Sequence, residues 1–273
     1  MIVSPASLAT ATWPCQLRVE ADPDAVAAHV ADQLHQALEQ AEVLGLATGR
    51  TMEPVYAALR QRLTALPPPQ LALLLGQWRS FNLDEYVGLA PGDAGSFAAF
   101  MARHLQQPLA LGIDQVRLPA GLTGDPGAEA HRYAADLARC GGLGLQLLGL
   151  GLNGHVGFNE PPCPAMAPCR CLELSSTTRE QNAAAFGGDA HGFVVITNRT
   201  AGSEGIAHPE SSVNGNLVCN VREGGSALIC SHNQVRIFII VDYHMLRMFY
   251  LPAGIHIIGN IQQTTDQFPI LFF

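Results

Sequence analysis

Hydrophobic residues in the first 190 positions follow two spacings, one typical of helices and one typical of buried strands. Between positions 22 and 41 apolar residues recur every three to four positions, which predicts an amphipathic helix. Short apolar runs at 43–47, 78–83 and 145–150 predict strands buried on both faces. Other helices are expected at 51–66, 96–105, 128–140 and 176–186, with a loop at 67–69 and short strands at 115–118 and 172–174. Strands that alternate with helices are typical of the α/β class, so we expect a doubly wound, mostly parallel sheet.

The composition changes abruptly near residue 190. Residues 1–190 contain 33 Ala and 2 Ile, whereas residues 191–273 contain 4 Ala and 11 Ile. Beyond this point strands are expected at 193–197, 235–241 and 255–258, but helical spacing is weak. We therefore expect an α/β domain at 1–190 and an atypical, divergent segment at 191–273, which a frameshift, a fusion or a recombined gene would each explain. Such a segment is expected to leave one edge of the sheet unpaired, to pack poorly and to contribute no catalytic residue.

The charge balance and the cysteine content argue against several classes of function. The chain of 273 residues has a formal net charge of −8, which argues against nucleic-acid binding through a basic face. Charged residues interrupt the apolar stretch at 235–259, and the first twenty positions lack a signal-peptide pattern, so we expect neither membrane association nor secretion. Cys163, Cys169 and Cys171 have a spacing that fits no zinc site, so no metal is expected. Seven cysteines without a paired framework indicate a cytoplasmic protein.

The chain contains no lysine, because all fifteen basic residues are Arg. A lysine Schiff base with a sugar carbonyl is therefore excluded, as is an internal aldimine to pyridoxal phosphate. A Walker-type phosphate loop is excluded for the same reason, since it requires a Lys. Any chemistry on an amine or a carbonyl must therefore proceed by acid/base catalysis on the substrate itself, and no cofactor is implied.

The strongest candidate for chemistry follows the apolar run at 145–150. The sequence G-L-G-L-N-G-H-V-G-F-N-E-P at 149–161 places Asn153, His155 and Glu160 within eight residues, among four glycines. Ligands of open α/β sheets collect at the carboxyl ends of the strands. An imidazole oriented by a carboxylate can act as an acid/base pair. The alternative is a glycine-rich turn in which His155 and Glu160 only cap neighbouring backbone groups.

Three further segments place polar groups at the ends of predicted elements. F-N-L-D-E-Y-V-G-L at 81–89 puts Asp84 and Glu85 side by side after a strand, so their side chains are expected to point to opposite faces. L-G-L-A-T-G-R-T at 44–51 opens a helix whose first N–H groups can bind an anion; the alternative is an ordinary cap with a solvated Arg50. S-T-T-R-E-Q-N at 176–182 starts another helix, for which Ser176 is the expected cap.

Together these four segments resemble the glucosamine-6-phosphate deaminase family. Its signatures read F-N-x-D-E-Y-x-G-L, G-x-G-x-[DN]-G-H-x-x-F-N-E-P, L-G-L-x-T-G-x-T and T-R-x-x-N, and the first two occur here in the family's order, about seventy residues apart. The resemblance covers roughly residues 15–190. It implies a modified Rossmann-like domain that converts glucosamine 6-phosphate to fructose 6-phosphate and ammonia, through ring opening and an enediol, without a cofactor.

The resemblance also assigns roles to individual residues. It implies that Asp84 is the base that moves a proton between C2 and C1 of the open-chain sugar, with Glu85 behind it. It implies that His155 opens the sugar ring and is held by Glu160 and Asn153. Because Asn153 carries no charge, it would orient His155 without raising the basicity of the imidazole. The residues implied to bind the sugar phosphate are Thr48, Gly49, Arg50, Thr51 and Arg179.

Departures from the family's pattern keep two other interpretations open. The family's C-terminal phosphate-binding Lys has no counterpart, and its allosteric Ser, Arg and Lys are replaced by Cys163, Arg170 and Leu172, so allosteric control is not expected. One alternative is a 6-phosphogluconolactonase, although Tyr86 and the F-N-E run at 158–160 fit the deaminase pattern better. The other is an inactive paralogue or regulator that binds a sugar phosphate. The expected partner is a small sugar phosphate, and a homo-oligomer is left open.

Overall fold

The computed structural model describes residues 15–20, 22–149, 155, 157–160, 163, 167–183, 194–197, 225–232, 235–242 and 269–272. Its strands are β1 (Cys15–Glu20), β2 (Leu44–Leu46), β3 (Ser80–Asn82), β4 (Asp84–Tyr86), β5 (Val116–Arg117), β6 (Leu145–Gly149), β7 (Arg170–Glu173), β8 (Val194–Thr197), β9 (Gly225–His232), β10 (Val235–Asp242) and β11 (Pro269–Phe272). Its helices are α1 (Pro23–Glu39), α2 (Glu53–Thr64), α3 (Pro68–Gln77), α4 (Phe97–Met101), α5 (Gln107–Leu109), α6 (Pro126–Arg139) and α7 (Ser176–Asn182). A 3-10 turn (Arg50–Met52) precedes α2, and a π-helical turn (Ala102–Gln106) precedes α5.

The larger of two sheets runs in the order β1-β9-β10-β6-β2-β3-β5, with β11 paired to β10. Its strands from β10 to β5 are parallel to one another, whereas β1, β9 and β11 pair in antiparallel. The second sheet is antiparallel and has the order β4-β8-β7. The predicted α/β class with a mostly parallel sheet is therefore confirmed. Within the described ranges, no helix combines the length and the hydrophobicity needed to cross a bilayer.

The core forms where the first three helices cover the parallel strands. The predicted apolar stripe of α1 is buried, and Val30, Leu34 and Leu38 pack in one cluster with residues of β2, β6, α2 and α3. Full burial of such a side chain contributes about 1.5–3 kcal/mol. Asp22 caps α1 by accepting a hydrogen bond from the N–H of Ala25 at 2.7 Å. This core fixes the carboxyl ends of β2, β3 and β6 at one edge of the sheet.

Three local predictions were wrong. The expected loop at 67–69 is the start of α3, because Pro is well suited to the first turn of a helix, where its missing N–H has no partner to lose. The cap of α7 is Ser175 and not Ser176, since the Ser175 Oγ accepts from the N–H of Thr178 at 3.3 Å. The expected strand at 78–83 ends at Asn82, and Asp84 begins β4 in the second sheet, opposite Thr197 of β8, where a loop was expected.

Strands beyond residue 190 take part in both sheets. β8 lies between β4 and β7, and β10 pairs in parallel with β6, so the expectation that the segment beyond residue 190 leaves one edge of the sheet unpaired was wrong. Strands were expected at 193–197 and 235–241, and the structure has β8 and β10 there. The strand expected at 255–258 lies outside the described residues. The division of the chain at residue 190 stays a prediction.

Candidate active site

A cavity of about 490 Å³ lies at the carboxyl ends of three parallel strands. The segment after β2 supplies residues 47–53. Leu83 lies between β3 and β4, Asp84 is the first residue of β4, Gly149 is the last residue of β6, and His155 follows β6. Residues of α4 and of the π-helical turn close another part of the wall. Among the described residues, the lining consists of Ala47, Thr48, Gly49, Arg50, Thr51, Met52, Glu53, Leu83, Asp84, Tyr86, Ala94, Gly95, Ser96, Phe97, Phe100, Arg103, Gly149, His155, Gly157, Phe158 and Asn182. The carboxyl edge of a parallel sheet is where α/β proteins bind their ligands.

The loop at 48–51 turns directly into the helical segment that ends with α2. Gly49 has a φ of 104° and a ψ of 167°, a conformation that is essentially restricted to glycine. The N–H of Met52 donates to the Gly49 carbonyl at 2.9 Å, which starts the 3-10 turn. The Tyr56 hydroxyl donates to the Ala47 carbonyl and holds the base of the loop. Thr48, Gly49, Arg50 and Thr51 thus all line the cavity at the start of a helix, where N–H groups favour an anion.

Asp84 and Glu85 point in different directions, as neighbours on a strand must. Asp84 is 6% exposed and lines the cavity; burial and, secondarily, the charge of Glu85 raise its pKa to about 8. Glu85 lies behind the cavity wall and accepts hydrogen bonds from the N–H groups of Tyr86, Phe97 and Ala98 at 2.8, 3.0 and 2.8 Å. Burial raises the pKa of Glu85, and these three donors oppose the rise. Glu85 thereby ties the start of α4 to the strand that carries Asp84.

A left-handed turn separates His155 from Glu160. Gly157 has a φ of 51° and Phe158 a φ of 48°, and a side chain at position 157 would collide with Leu83, since an added Cβ would lie 2.8 Å from its Cδ1. A bulky residue such as Phe158 adopts this conformation rarely, and such strain is typical of functional sites. The Phe158 ring packs against Tyr86 and Phe97, with centroids 5.5 and 5.8 Å away, and forms an apolar part of the wall.

His155 and Glu160 are joined through α7. The Thr178 Oγ1 lies 3.2 Å from the His155 Nδ1, and the Thr178 hydroxyl donates to the Glu160 Oε1. The same carboxylate accepts from the Ser175 hydroxyl at 2.6 Å and from the Ser175 N–H at 2.8 Å. Burial lowers the pKa of His155, and the charge of Glu160 raises it in part, so the imidazole is neutral at neutral pH. Asn153, the other residue implied to hold His155, lies outside the described residues.

One of the two arginines that the family resemblance implied lines the cavity, and the other does not. Arg50 lines the cavity, whereas Arg179, which lies on α7, is not among the lining residues. Arg103 on the π-helical turn does line the cavity, one turn after Phe100, although no motif pointed to it. The sequence offered one sign of this position. Arg103 lies three positions after Phe100 on the helix expected at 96–105, so the two side chains share one face of that helix. Asn182 at the end of α7 is another lining residue that sequence reasoning did not single out.

Arg170 is turned towards the segment that follows His155. Its Nη1 donates to the Asn159 Oδ1 at 2.9 Å, and its Nη2 lies 3.2 Å from the Cys163 Sγ. Thr197 of β8, which is fully buried, donates to the Gly157 carbonyl. The left-handed turn and the segment after it are therefore held from both β7 and β8, so a residue beyond position 190 supports the cavity wall.

Comparison with known proteins gives one family. The profile described as glucosamine-6-phosphate isomerases/6-phosphogluconolactonase matches residues 20–157. Among curated proteins, the glucosamine-6-phosphate deaminase of Hahella chejuensis is 40% identical over 169 residues, which is 61% of this chain and 62% of that protein. The deaminase of Bacillus pumilus is 42% identical over 144 residues, 53% of this chain and 58% of that protein. The chain thus spans about three fifths of the length of the curated relatives it matches.

Solved structures have the same fold. A monomeric glucosamine-6-phosphate deaminase superposes with a TM-score of 0.60 at 30% identity, over 64% of this chain and 72% of that one. A 6-phosphogluconolactonase from Trypanosoma cruzi superposes with a TM-score of 0.51 at 16% identity, over 66% of this chain and 73% of that one. The second likeness is one of fold alone.

Proposed function

Because the chain belongs to the glucosamine-6-phosphate isomerase/6-phosphogluconolactonase family, we propose that it converts glucosamine 6-phosphate to fructose 6-phosphate and ammonia. The observation that carries this proposal is the shared cavity, in which Asp84, His155 and the loop at 48–51 meet at the carboxyl ends of three parallel strands. A sugar phosphate needs an acid/base pair and an anion site, and a lining that contains an Asp, a His and the start of a helix supports the proposal.

The first step is ring opening by His155. The neutral imidazole takes the proton of the anomeric hydroxyl, the bond between C1 and the ring oxygen breaks, and the imidazolium returns the proton to the ring oxygen. The product is the open-chain aldehyde, and the imidazole is neutral again. The lowered pKa of His155 suits this role, because a neutral imidazole is available to accept a proton at neutral pH.

The second step is proton transfer by Asp84. Its carboxylate removes the proton from C2 while the C1 carbonyl oxygen takes a proton from the substrate ammonium group, which gives an enol with the amino group on C2. The Asp84 carboxylic acid then protonates C1, which gives the protonated imine at C2 and restores the carboxylate. The resulting C2 imine is hydrolysed by water to the ketone with release of ammonia. A carboxylate whose pKa is about 8 is a stronger base than an ordinary Asp and, once protonated, retains its proton for delivery to C1.

Phosphate binding is proposed for Thr48, Gly49, Arg50 and Thr51. Two guanidinium groups, of Arg50 and Arg103, line the same cavity and would neutralise the phosphate dianion by charge-assisted hydrogen bonds. Arg103 replaces Arg179 in this proposal, because Arg179 is not a lining residue. We further propose that the substrate is a free cytoplasmic metabolite and that catalysis requires no cofactor or metal. The formation of a homo-oligomer stays a prediction.

A second proposal is that the protein binds a sugar phosphate but does not convert it. The chain has no lysine at any position, and the composition changes abruptly at residue 190, where the family's pattern is lost; both observations favour a protein that binds a sugar phosphate without turnover.

Ammonia release, measured together with binding, tests both proposals. The purified full chain is expected to release ammonia from glucosamine 6-phosphate and to leave 6-phosphogluconolactone unhydrolysed. Calorimetric binding of glucosamine 6-phosphate without any ammonia would support the second proposal. Hydrolysis of the lactone would instead assign the chain to the other branch of the family.

A further inference from the structure

The buried hydroxyl of Thr178 contacts both members of the His155–Glu160 pair. Thr178 lies in the first turn of α7 and is completely buried. Its Oγ1 lies 3.2 Å from the His155 Nδ1 and within a short hydrogen bond of the Glu160 Oε1. A hydroxyl has one hydrogen to donate and two lone pairs that accept. The direction of each hydrogen bond can therefore be assigned by counting hydrogens.

The count places a hydrogen on the His155 Nδ1. The hydroxyl hydrogen of Thr178 is directed at the Glu160 carboxylate, so it is not available to the imidazole. The contact with His155 then requires the ring to be the donor, with Nδ1–H pointing at the Thr178 oxygen. The Glu160 carboxylate accepts hydrogen bonds from the hydroxyl and the N–H of Ser175. The last acceptor in this series of hydrogen bonds is therefore held in a fixed position.

We propose that Thr178 is a positioning residue that fixes His155 in the neutral tautomer with hydrogen on Nδ1 and the lone pair on Nε2. His155 lines the cavity and Thr178 does not, and Nδ1 is the ring nitrogen that contacts Thr178, so in this proposal Nε2 faces the substrate. Nε2 is thus the atom that takes the anomeric proton. This role in ring opening rests on the proposed function, whereas the tautomer does not.

The hydrogen bonds from His155 to Thr178 and from Thr178 to Glu160 form a relay. This relay can stabilise the positive charge that forms on the imidazole during ring opening. When Nε2 accepts the anomeric proton, the O–H bond breaks, an N–H bond forms and the ring becomes an imidazolium. Nδ1 keeps its hydrogen and remains bonded to the Thr178 oxygen, which is polarised by the Glu160 carboxylate. Hydrogen-bond chains that end on a carboxylate stabilise such a cation in a buried site. The proton then passes to the ring oxygen, and the relay returns to its initial state.

The test compares three variants of the full chain. Thr178→Val keeps the shape of the side chain and removes the hydroxyl, whereas Thr178→Ser keeps the hydroxyl. Thr177→Val is the matched control, because Thr177 occupies the neighbouring, exposed position of the same helix. The tautomer of His155 is read from the ¹⁵N chemical shifts of its two ring nitrogens, assigned with a His155→Gln variant. Ammonia release from glucosamine 6-phosphate gives kcat and KM.

Wild type, Thr178→Ser and Thr177→Val are expected to show Nδ1–H and similar kcat values. Thr178→Val is expected to show a mixture of tautomers and a kcat lowered about tenfold, the value of one hydrogen bond of about 1.4 kcal/mol, with KM little changed. Nε2–H in the wild-type protein, or a Thr178→Val variant with unchanged tautomer and kcat, would overturn the proposal. If the wild type releases no ammonia, the proposed function fails, and the ¹⁵N shifts alone decide on the tautomer.

Discussion

The two sides of the cavity hold their titratable groups in different ways. On the β4 side, the Asp84 carboxyl lines the cavity and its pKa is raised to about 8 by burial and by the charge of Glu85. On the α7 side, the His155 imidazole is held by a hydroxyl that is in turn bonded to the Glu160 carboxylate. The first arrangement makes a stronger base, and the second gives a base of fixed orientation. Two titratable groups in one site can take different acid and base roles, because the surroundings of each group set its pKa separately.

Replacement of Asp84 has the largest expected effect. Asp84→Asn removes the proposed base for transfer from C2 to C1, so ammonia release should fall by about 10²–10⁴-fold, the usual contribution of a general base. Binding of glucosamine 6-phosphate, measured by calorimetry, should persist. Near-full ammonia release by the Asn variant would show that the β4 side does not supply the base.

The matched control for this variant is Glu85→Gln. Its side chain ties the start of α4 to β4, so we expect its replacement to reduce the free energy of unfolding by about 1–3 kcal/mol, with a smaller loss of activity than in Asp84→Asn. Urea unfolding and ammonia release on the same samples separate the two roles.

The change of kcat/KM with pH is the next largest expected effect. Because the base must be ionised, kcat/KM should rise by about tenfold per pH unit below pH 8 and level off above it. The charge of Glu85 contributes to the raised pKa, so Glu85→Gln should move the rising limb to lower pH. A limb near pH 4 in the wild type would mean that Asp84 titrates as an ordinary exposed carboxyl.

A comparison of Arg103→Gln with Arg179→Gln tests which arginine binds the phosphate, with a smaller expected effect than in the preceding predictions. Arg103→Gln removes a guanidinium that lines the cavity, so the KM for glucosamine 6-phosphate should increase about 10–100-fold, because a charge-assisted hydrogen bond contributes about 1.5–3 kcal/mol. Arg179→Gln should leave KM near the wild-type value. A larger change in Arg179→Gln than in Arg103→Gln would restore the assignment that the family resemblance implied.

The backbone of the loop at 48–51 gives the smallest effect. Gly49→Ala forces a side chain into a conformation that favours glycine, with a cost of about 1–3 kcal/mol in the free energy of unfolding. Gly76→Ala is the control, because Gly76 lies inside α3 and an added Cβ there would have no atom within 4 Å. That control should stabilise the protein by about 0.5–1 kcal/mol. If urea unfolding gives the two variants equal free energies of unfolding, the claim that position 49 requires glycine is contradicted.

The sequence predicted the regular parts of the fold because their signals are local. Periodic apolar positions located α1, and unbroken apolar runs located β2 and β6. The position of β4 could not be predicted, since a strand of three residues has no periodicity and its place in a second sheet depends on β8, more than one hundred residues away. The start of α3 at Pro68 was misassigned because three consecutive prolines suggest a loop as readily as a helix start.

The sequence located residues of the candidate cavity where they stand in motifs, and their roles stay predictions. Asp84, His155 and the loop at 48–51 follow strand ends, and the parallel sheet brings them into one cavity. Arg103 was missed because its approach to the cavity depends on how α4 docks through Glu85, which is a contact between distant elements. Thr178 was missed because its role depends on the true cap of α7, Ser175, which sets the first turn of that helix.

The most direct test of the account is the reaction of the wild-type chain with glucosamine 6-phosphate in D₂O, followed by NMR. The account predicts equal amounts of ammonia and fructose 6-phosphate, with hydrogen from C2 of the substrate found at C1 of the ketose, because Asp84 is buried and retains the proton that it delivers to C1. Recovery of unchanged sugar phosphate, or release of ammonia without the ketose, would contradict it.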